Sequence, residues 1–227
     1  MLFISLPFSK KGTASAPSAP QPPKPPALPP AAVLARENEG LRRQLDEIGL
    51  QLEIYKVIIE RYQKFIEDGE AKSIADLRGL VRPLDHSVVE MKINVQDAFH
   101  PYVYEKNFIQ AVQKSLDMVF SFRAVSLPLN FWLQFEEMQH LNAADDIDRA
   151  ILLCSLLRAL GSESVRVLIT KTKEAMVTFA FGNKQFVIEI SKKAMSAYPL
   201  GDDQFVQIMH SVLYSFNDRE YEDLSEG

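Results

Sequence analysis

Residues 143–166 have the sequence AADDIDRAILLCSLLRALGSESVR, and this segment decides how the rest of the chain is expected to fold. Asp145, Asp146 and Asp148 stand where carboxylates cap free backbone N–H groups and suit the positive end of a helix dipole. Apolar residues then follow on almost every side of the helix, up to Gly161, a residue suited to a helix C-terminus. The pattern predicts a helix that is buried inside a domain.

The run A-I-L-L-C-S-L-L-R-A-L-G and the strand-like V-R-V-L-I that follows it resemble the core helix and first strand of transglutaminase-like domains, which are relatives of papain-type cysteine proteases. The resemblance covers roughly residues 107–190. It implies an α+β fold in which a central helix packs on a small antiparallel sheet.

In that family the core helix starts with Gly-x-Cys-x-x-x-Ala, and the helix dipole favours the thiolate of the nucleophilic Cys. The position four residues before Ala150 is Asp146 in this sequence. The resemblance also places Glu174 at the position of the family's His and Glu189 near that of its Asp. These degenerate triad positions imply a protein that is not an enzyme.

Two other functions stay open from the residues alone. The first is a cysteine-type amidase, transglutaminase or peptidase with an atypical site, which would have to use Cys154, the only thiol. The place of Cys154 on the apolar side of the helix favours a packing role instead. If Asp146, Glu174 and Glu189 converge, they would repel one another and could bind a divalent metal ion. We expect neither a metal nor a cofactor, because no His spacing typical of metal ligands and no Gly-rich phosphate loop is present.

Four segments are predicted along the chain. Residues 1–32 form a disordered Pro-rich arm, residues 33–68 a coiled-coil helix, residues 69–216 the transglutaminase-like domain and residues 217–227 an acidic, solvated tail.

Residues 34–66 carry apolar side chains that alternate by four and three, which is the heptad repeat of a coiled coil. The positions we assign to the contact surface are Leu34, Asn38, Leu41, Leu45, Ile48, Leu52, Tyr55 and Ile59. Asn38 occupies an a position, where a lone Asn commonly fixes a parallel two-stranded register, and Glu37 and Arg42 occupy g and e positions that pair across such a dimer. The prediction is a homodimer or a complex with a partner's helix; the alternative is that the helix packs on its own domain.

Within the body, a short helix is predicted over 74–81 and a longer one over 104–122, whereas 87–95 has a β-leaning composition without a decisive pattern. Three antiparallel strands are expected at 164–170, 175–181 and 185–190, with Gly182-Asn183 as the turn of a hairpin. An amphipathic helix is then predicted from Asp202 or Asp203 to Phe216.

Composition excludes several classes of protein. The formal net charge is −5 over 227 residues, and because residues 1–32 carry three Lys and no acid, the remainder carries −8. This acidic body argues against nucleic-acid binding, which requires positive charge to neutralise phosphates. No transmembrane segment is predicted, since no run approaches ~20 apolar residues, and a single Cys gives no sign of an oxidising compartment. We expect a cytoplasmic protein.

Overall fold

The computed structural model describes residues 30–68, 74–126 and 132–225, so most of the predicted Pro-rich arm lies outside the described residues. The chain divides into two compact units, Met1–Ile48 and Gly49–Gly227. The predicted α+β class is confirmed, because the second unit combines helices with a sheet.

Seven helices occur in the described part of the chain. They are α1 (Pro30–Asp68), α2 (Ile74–Leu80), α3 (His86–Asp97), α4 (Tyr104–Val119), α5 (Phe135–Leu141), α6 (Asp146–Ala159) and α7 (Asp203–Ser211).

Helix α6 is the predicted core helix, and every residue from Asp148 to Leu157 is buried. Helices α3 and α4 pack on it, as do two strands of the sheet. It ends as predicted, with Gly161 in a left-handed conformation at φ 109°. The hydrophobic residues on all sides of α6 therefore form the centre of the core.

The main sheet has six strands in the order β6-β5-β4-β3-β7-β8, and all five neighbouring pairs are antiparallel. The strands are β3 (Arg166–Thr170), β4 (Ala175–Phe181), β5 (Lys184–Glu189), β6 (Ala194–Pro199), β7 (Val212–Phe216) and β8 (Tyr221–Asp223). Two short strands, β1 (Arg123–Ala124) and β2 (Ala143–Ala144), pair in parallel as a separate sheet. The three predicted strands and the hairpin between β4 and β5 are present, but the sheet is twice as wide as predicted.

The prediction of one helix from residue 202 to residue 216 is wrong in its second half. Helix α7 ends at Ser211, and Val212–Phe216 forms strand β7 beside β3. The apolar run that closes the segment fits a strand as well as a helix, and only the free edge of β3 decides between them.

The acidic side chains Glu220, Glu222 and Asp223 are exposed, as expected for a solvated tail, but the backbone of the tail is not a frayed end. Strand β8 pairs with β7 through Tyr221, and the Asn217 side chain is buried and donates to the Val165 carbonyl at 3.1 Å. Residues 87–95, which had no decisive pattern, belong to α3. The Asp85 side chain caps this helix by accepting from the Ser87 backbone N–H at 3.0 Å.

Candidate functional site

The predicted coiled-coil residues lie on one face of α1 and are exposed. The seven apolar members of the set are between 46% and 68% exposed, and Asn38 is exposed as well. We call this set the heptad stripe; its members are Leu34, Asn38, Leu41, Leu45, Ile48, Leu52, Tyr55 and Ile59. Such large apolar side chains in regular spacing along a helix are the surface that coiled-coil partners cover.

Up to Gly49 the described part of α1 has no buried side at all, since every residue from 33 to 49 is exposed. An isolated helix of this kind is marginal in water, because helical stability in proteins comes mostly from packing of an apolar face. Gly40 weakens it further by about 1 kcal/mol relative to Ala. Within the described residues, this segment is therefore a helix whose apolar face is exposed along its whole length.

From Gly49 onward α1 has a second, buried face. Ile54 and Ile58 are each only 5% exposed and belong to the hydrophobic core, and Leu50 and Val57 pack against it. On a helical wheel this face is centred about 145° from the heptad stripe. The two alternatives left open by the sequence thus concern different faces of the same helix.

Arg61 fixes the buried face of α1 to the segment before α5. Its guanidinium donates to the Trp132 carbonyl oxygen and forms an ion pair with Glu137, and both groups of this ion pair are less than a third exposed. The Glu137 carboxylate also accepts from the backbone N–H of Gln134 in a capping box. No local sequence pattern indicates this contact, because the partners are more than 70 residues apart.

The N-terminus of α6 holds two neighbouring carboxyl groups, of which Asp148 is buried and Asp145 is half-buried. The Asp145 side chain accepts from the Asp148 N–H at 2.7 Å, and the Asp148 side chain accepts from the Asp145 N–H at 3.3 Å and from the Leu133 N–H at 2.8 Å. Burial, followed by the charge of Asp145, raises the pKa of Asp148 well above its usual range. Burial also raises the pKa of Asp145. These contacts confirm the predicted capping role of the two residues.

Asp146, at the position that the resemblance assigns to the family's nucleophile, forms an ion pair with Arg149. Its side chain is 47% exposed, and its carboxylate lies 3.5 Å from the guanidinium of Arg149, which is itself buried. Arg149 donates to the Phe122 carbonyl oxygen at 2.8 Å and lies over the Phe120 ring, with 5.6 Å between the guanidinium carbon and the ring centroid. A carboxylate in an ion pair is a poor nucleophile toward an amide.

Glu174 and Glu189 lie at the same end of the β4–β5 hairpin. Glu174 directly precedes β4, is exposed and accepts from the Thr172 hydroxyl at 3.2 Å. Glu189 closes β5 opposite Met176 and forms an ion pair with Lys192. In the described ranges no group of three or more His, Cys, Asp or Glu side chains is arranged to hold a metal ion. The structure therefore does not bring Asp146, Glu174 and Glu189 together as a metal site.

Cys154 is completely buried in the middle of α6. Burial, and next the Asp218 carboxylate, raise the pKa of its thiol. The groups acting on this thiol are Asp218, Arg158 and the backbone of Val167, and none of them is an imidazole that could take its proton. A neutral, inaccessible thiol is inert.

An ion pair that sequence reasoning missed joins α6 to the end of the chain. Arg158 binds both carboxylate oxygens of Asp218, at 2.6 and 3.1 Å, and also donates to the Ser162 and Glu163 carbonyl oxygens at 3.2 and 3.1 Å. The Arg158 side chain is 5% exposed and that of Asp218 is 20% exposed. The pair lines an open cavity of about 340 Å³. Because the guanidinium is saturated by these contacts, the pair is part of the fold and not a free binding group.

Three solved structures of Legionella pneumophila LapG, a transglutaminase-like cysteine protease, are similar to this chain. One has a TM-score of 0.41 at 16% identity and covers 63% of this chain and 88% of the LapG chain. The EGTA-treated form has a TM-score of 0.39 at 14% identity, with 60% and 84% covered, and the calcium-bound form has 0.37 at 16%, with 60% and 87% covered. A likeness at this level assigns neither a family nor an activity.

No protein-family model and no curated protein matches the sequence. In the described part of the chain, no helix is both long enough and apolar enough to span a bilayer.

Proposed function

We propose that this chain is a non-catalytic protein with a transglutaminase-like body, and that its function is to associate through the heptad stripe of α1. The observation that carries the proposal is the exposure of the stripe. All seven of its apolar side chains are at least 46% exposed, while Ile54 and Ile58 on another face of the same helix are buried and Leu50 and Val57 are partly buried. Burial of such a stripe in a partner's helix gives the apolar stabilisation that the helix otherwise lacks.

The non-catalytic part of the proposal is supported by what occupies the expected reactive positions. Asp146 stands where the resemblance expects the nucleophilic Cys, and its carboxylate forms an ion pair with Arg149. Glu174 stands where the resemblance expects the imidazole of a His. A carboxylate at the second position cannot relay a proton in the way a neutral imidazole does near pH 7. The one thiol, Cys154, is buried and has a raised pKa.

The association is tested on the full-length chain by light scattering over a range of concentrations. Leu45→Glu places a charge in the centre of the stripe, and we expect it to abolish association, because a carboxylate buried in an apolar seam is strongly disfavoured. Leu45 is 68% exposed, so the substitution leaves the fold of the single chain intact. Arg43→Gln, on the outer face of the same turn, is the control and should associate like the wild type, because it removes only an exposed ion pair with Glu39. A wild-type mass equal to one chain at every concentration would contradict the proposal.

The absence of catalysis is tested separately by alkylation of the native protein. We expect Cys154 to react only after unfolding, and Cys154→Ser to associate like the wild type. Rapid labelling of native Cys154 together with hydrolysis or transamidation of amide substrates would overturn this part of the proposal and leave the association unaffected.

A further inference from the structure

We infer that the partner of the heptad stripe is a second copy of this chain, aligned parallel and in register. The inference rests on the proposed function and adds the identity, orientation and number of the partners. Three properties of the exposed positions on α1 carry it: the placement of one polar residue, the charges beside the stripe and the direction of the buried face.

Asn38 is the only polar residue among the eight positions of the stripe. In a parallel dimer in register it faces the Asn38 of the second copy, and the two amides can bond to each other. In an antiparallel pair an a residue faces a d residue, so Asn38 would lie against Leu, Ile or Tyr; a shift by one heptad would place it against Leu45. A buried amide without a partner costs about 1–3 kcal/mol. Only one arrangement avoids this cost on both helices.

The charges beside the stripe favour the same arrangement. In a parallel dimer each g position faces the e position five residues later in the partner, which pairs Glu37 with Arg42 twice and Gln51 with Lys56 twice. Neither pairing is between like charges. In an antiparallel pair e faces e, so Glu37 never meets Arg42, and alignments that place Arg42 against Lys56 are repulsive. The sequence of this helix is thus complementary to itself in one orientation.

The contacts of α1 with the core do not use the residues of the heptad stripe. Ile54, Ile58 and Arg61, which fix α1 to the core, occupy positions c and g of the repeat, whereas Leu52, Tyr55 and Ile59 occupy a and d and stay exposed. Because the two faces are about 145° apart on the helical wheel, the contacts to the body persist when the stripe is covered.

The orientation is tested with single cysteines at two d positions of the full-length protein, Leu34→Cys and Ile48→Cys. The native Cys154 is buried and stays out of the reaction, and Arg43→Cys on the outer face is the control. After mild oxidation of the native proteins and quenching of free thiols, we expect Leu34→Cys and Ile48→Cys each to form a covalent dimer with itself. Wild type and Arg43→Cys should remain uncrosslinked.

Each other outcome identifies which statement fails. In an antiparallel pair the d position Leu34 faces an a position, so a crosslink between Leu34→Cys and Ile59→Cys in a mixture, without a self-crosslink of Leu34→Cys, would show an antiparallel pair. Association that Leu45→Glu abolishes but that gives no crosslink would show another register or partner number. Both results overturn the inference and leave the proposed association standing, whereas a single-chain mass for the wild type overturns both.

A charge exchange gives an independent test. Glu37→Arg and Arg42→Glu should each weaken association about 3- to 10-fold, because each replaces two attractive pairs by two repulsive ones. The double variant Glu37→Arg/Arg42→Glu should restore it. If the double variant stays as weak as the two single ones, Glu37 and Arg42 do not face each other and the parallel register is wrong.

Discussion

Helices α6 and α1 are both rich in large aliphatic side chains, but they bury them in opposite ways. Every residue of α6 from Asp148 to Leu157 is buried, whereas every residue of α1 from 33 to 49 is exposed. The difference follows from how the apolar residues are spaced. In α6 they occur on all sides, as in a helix surrounded by protein. In α1 they recur every 3.5 residues on a narrow stripe, which is the pattern of the helices in a coiled coil.

The second half of α1 combines both kinds of surface on a single helix. Ile54 and Ile58 lie in the core, while Tyr55 and Ile59, each one residue further along, are exposed. A step of one residue rotates a side chain by 100° around the helix, which is enough to move it from one face to another. Apolar content therefore does not determine burial here; the angular position of each residue does.

The largest expected effect is a difference between the two helices in how far a Leu→Ala substitution lowers the free energy of unfolding. Leu153→Ala in α6 removes a completely buried side chain, and we expect it to lower the free energy of unfolding by about 2–5 kcal/mol. Leu45→Ala in α1 should change it by no more than about 0.5 kcal/mol when the chain is dilute enough to be monomeric. Urea unfolding of both variants measures this. Equal losses would mean that the heptad stripe is covered within one chain.

The next largest effect concerns the ion pair between Arg158 of α6 and Asp218. Asp218→Asn leaves the buried Arg158 guanidinium without its carboxylate, and we expect a loss of about 3 kcal/mol in the free energy of unfolding. Glu222→Gln, in the more exposed ion pair with Arg166, should cost less than about 1 kcal/mol. Similar small losses for both would show that residues 217–223 add little to the fold, as the sequence alone predicted.

The buried Asp148 at the start of α6 predicts a pH dependence of stability. The pKa of Asp148 is raised in the folded state, so the unfolded chain gives up this proton first. The contribution of Asp148 to stability is therefore complete below its unfolded pKa, near the usual Asp value, and is lost as pH rises through its folded pKa. Asp148→Asn should remove this loss of stability with rising pH. The difference in free energy of unfolding between variant and wild type should therefore change with pH. A constant difference from acid to neutral pH would contradict the raised pKa.

The smallest effects compare one glycine from each helix. Gly49→Ala in α1 meets no atom within 4 Å and should stabilise the helix by about 0.5–1 kcal/mol. Gly161→Ala, just after α6, must adopt φ 109° and brings its Cβ within 3.2 Å of the Tyr104 ring, so we expect a loss of at least about 1 kcal/mol. Thermal unfolding of the two variants should shift in opposite directions.

Local signals in the sequence were enough to predict the elements with strong periodicity or clear end signals. The carboxylates and Gly161 mark the ends of α6, the heptads mark α1, and Gly182 marks the turn between β4 and β5, where it has φ 58°. Strand β7 could not be predicted in this way, because Val212–Phe216 continues the amphipathic pattern of α7 and becomes a strand only by pairing with β3, about 45 residues earlier.

The heptad stripe could also be predicted from the sequence, because its pattern is local. A heptad repeat is visible in the sequence, so the sequence alone identifies the residues of the stripe. The buried face opposite the stripe was only partly visible, since Arg61 gains its role from Trp132 and Glu137, which no local pattern connects to it.

By itself, the sequence determined where α6 begins and ends, which residues of α1 share a helical face and that the one thiol lies on the apolar side of a helix. These are properties of neighbours within a few residues, and steric and capping effects act over that range. Only the tertiary structure decided which face of α1 is covered, that the end of the chain joins the sheet and that Arg158 meets Asp218, 60 residues away. Such contacts depend on surfaces that exist only after the chain has folded, so no local pattern encodes them.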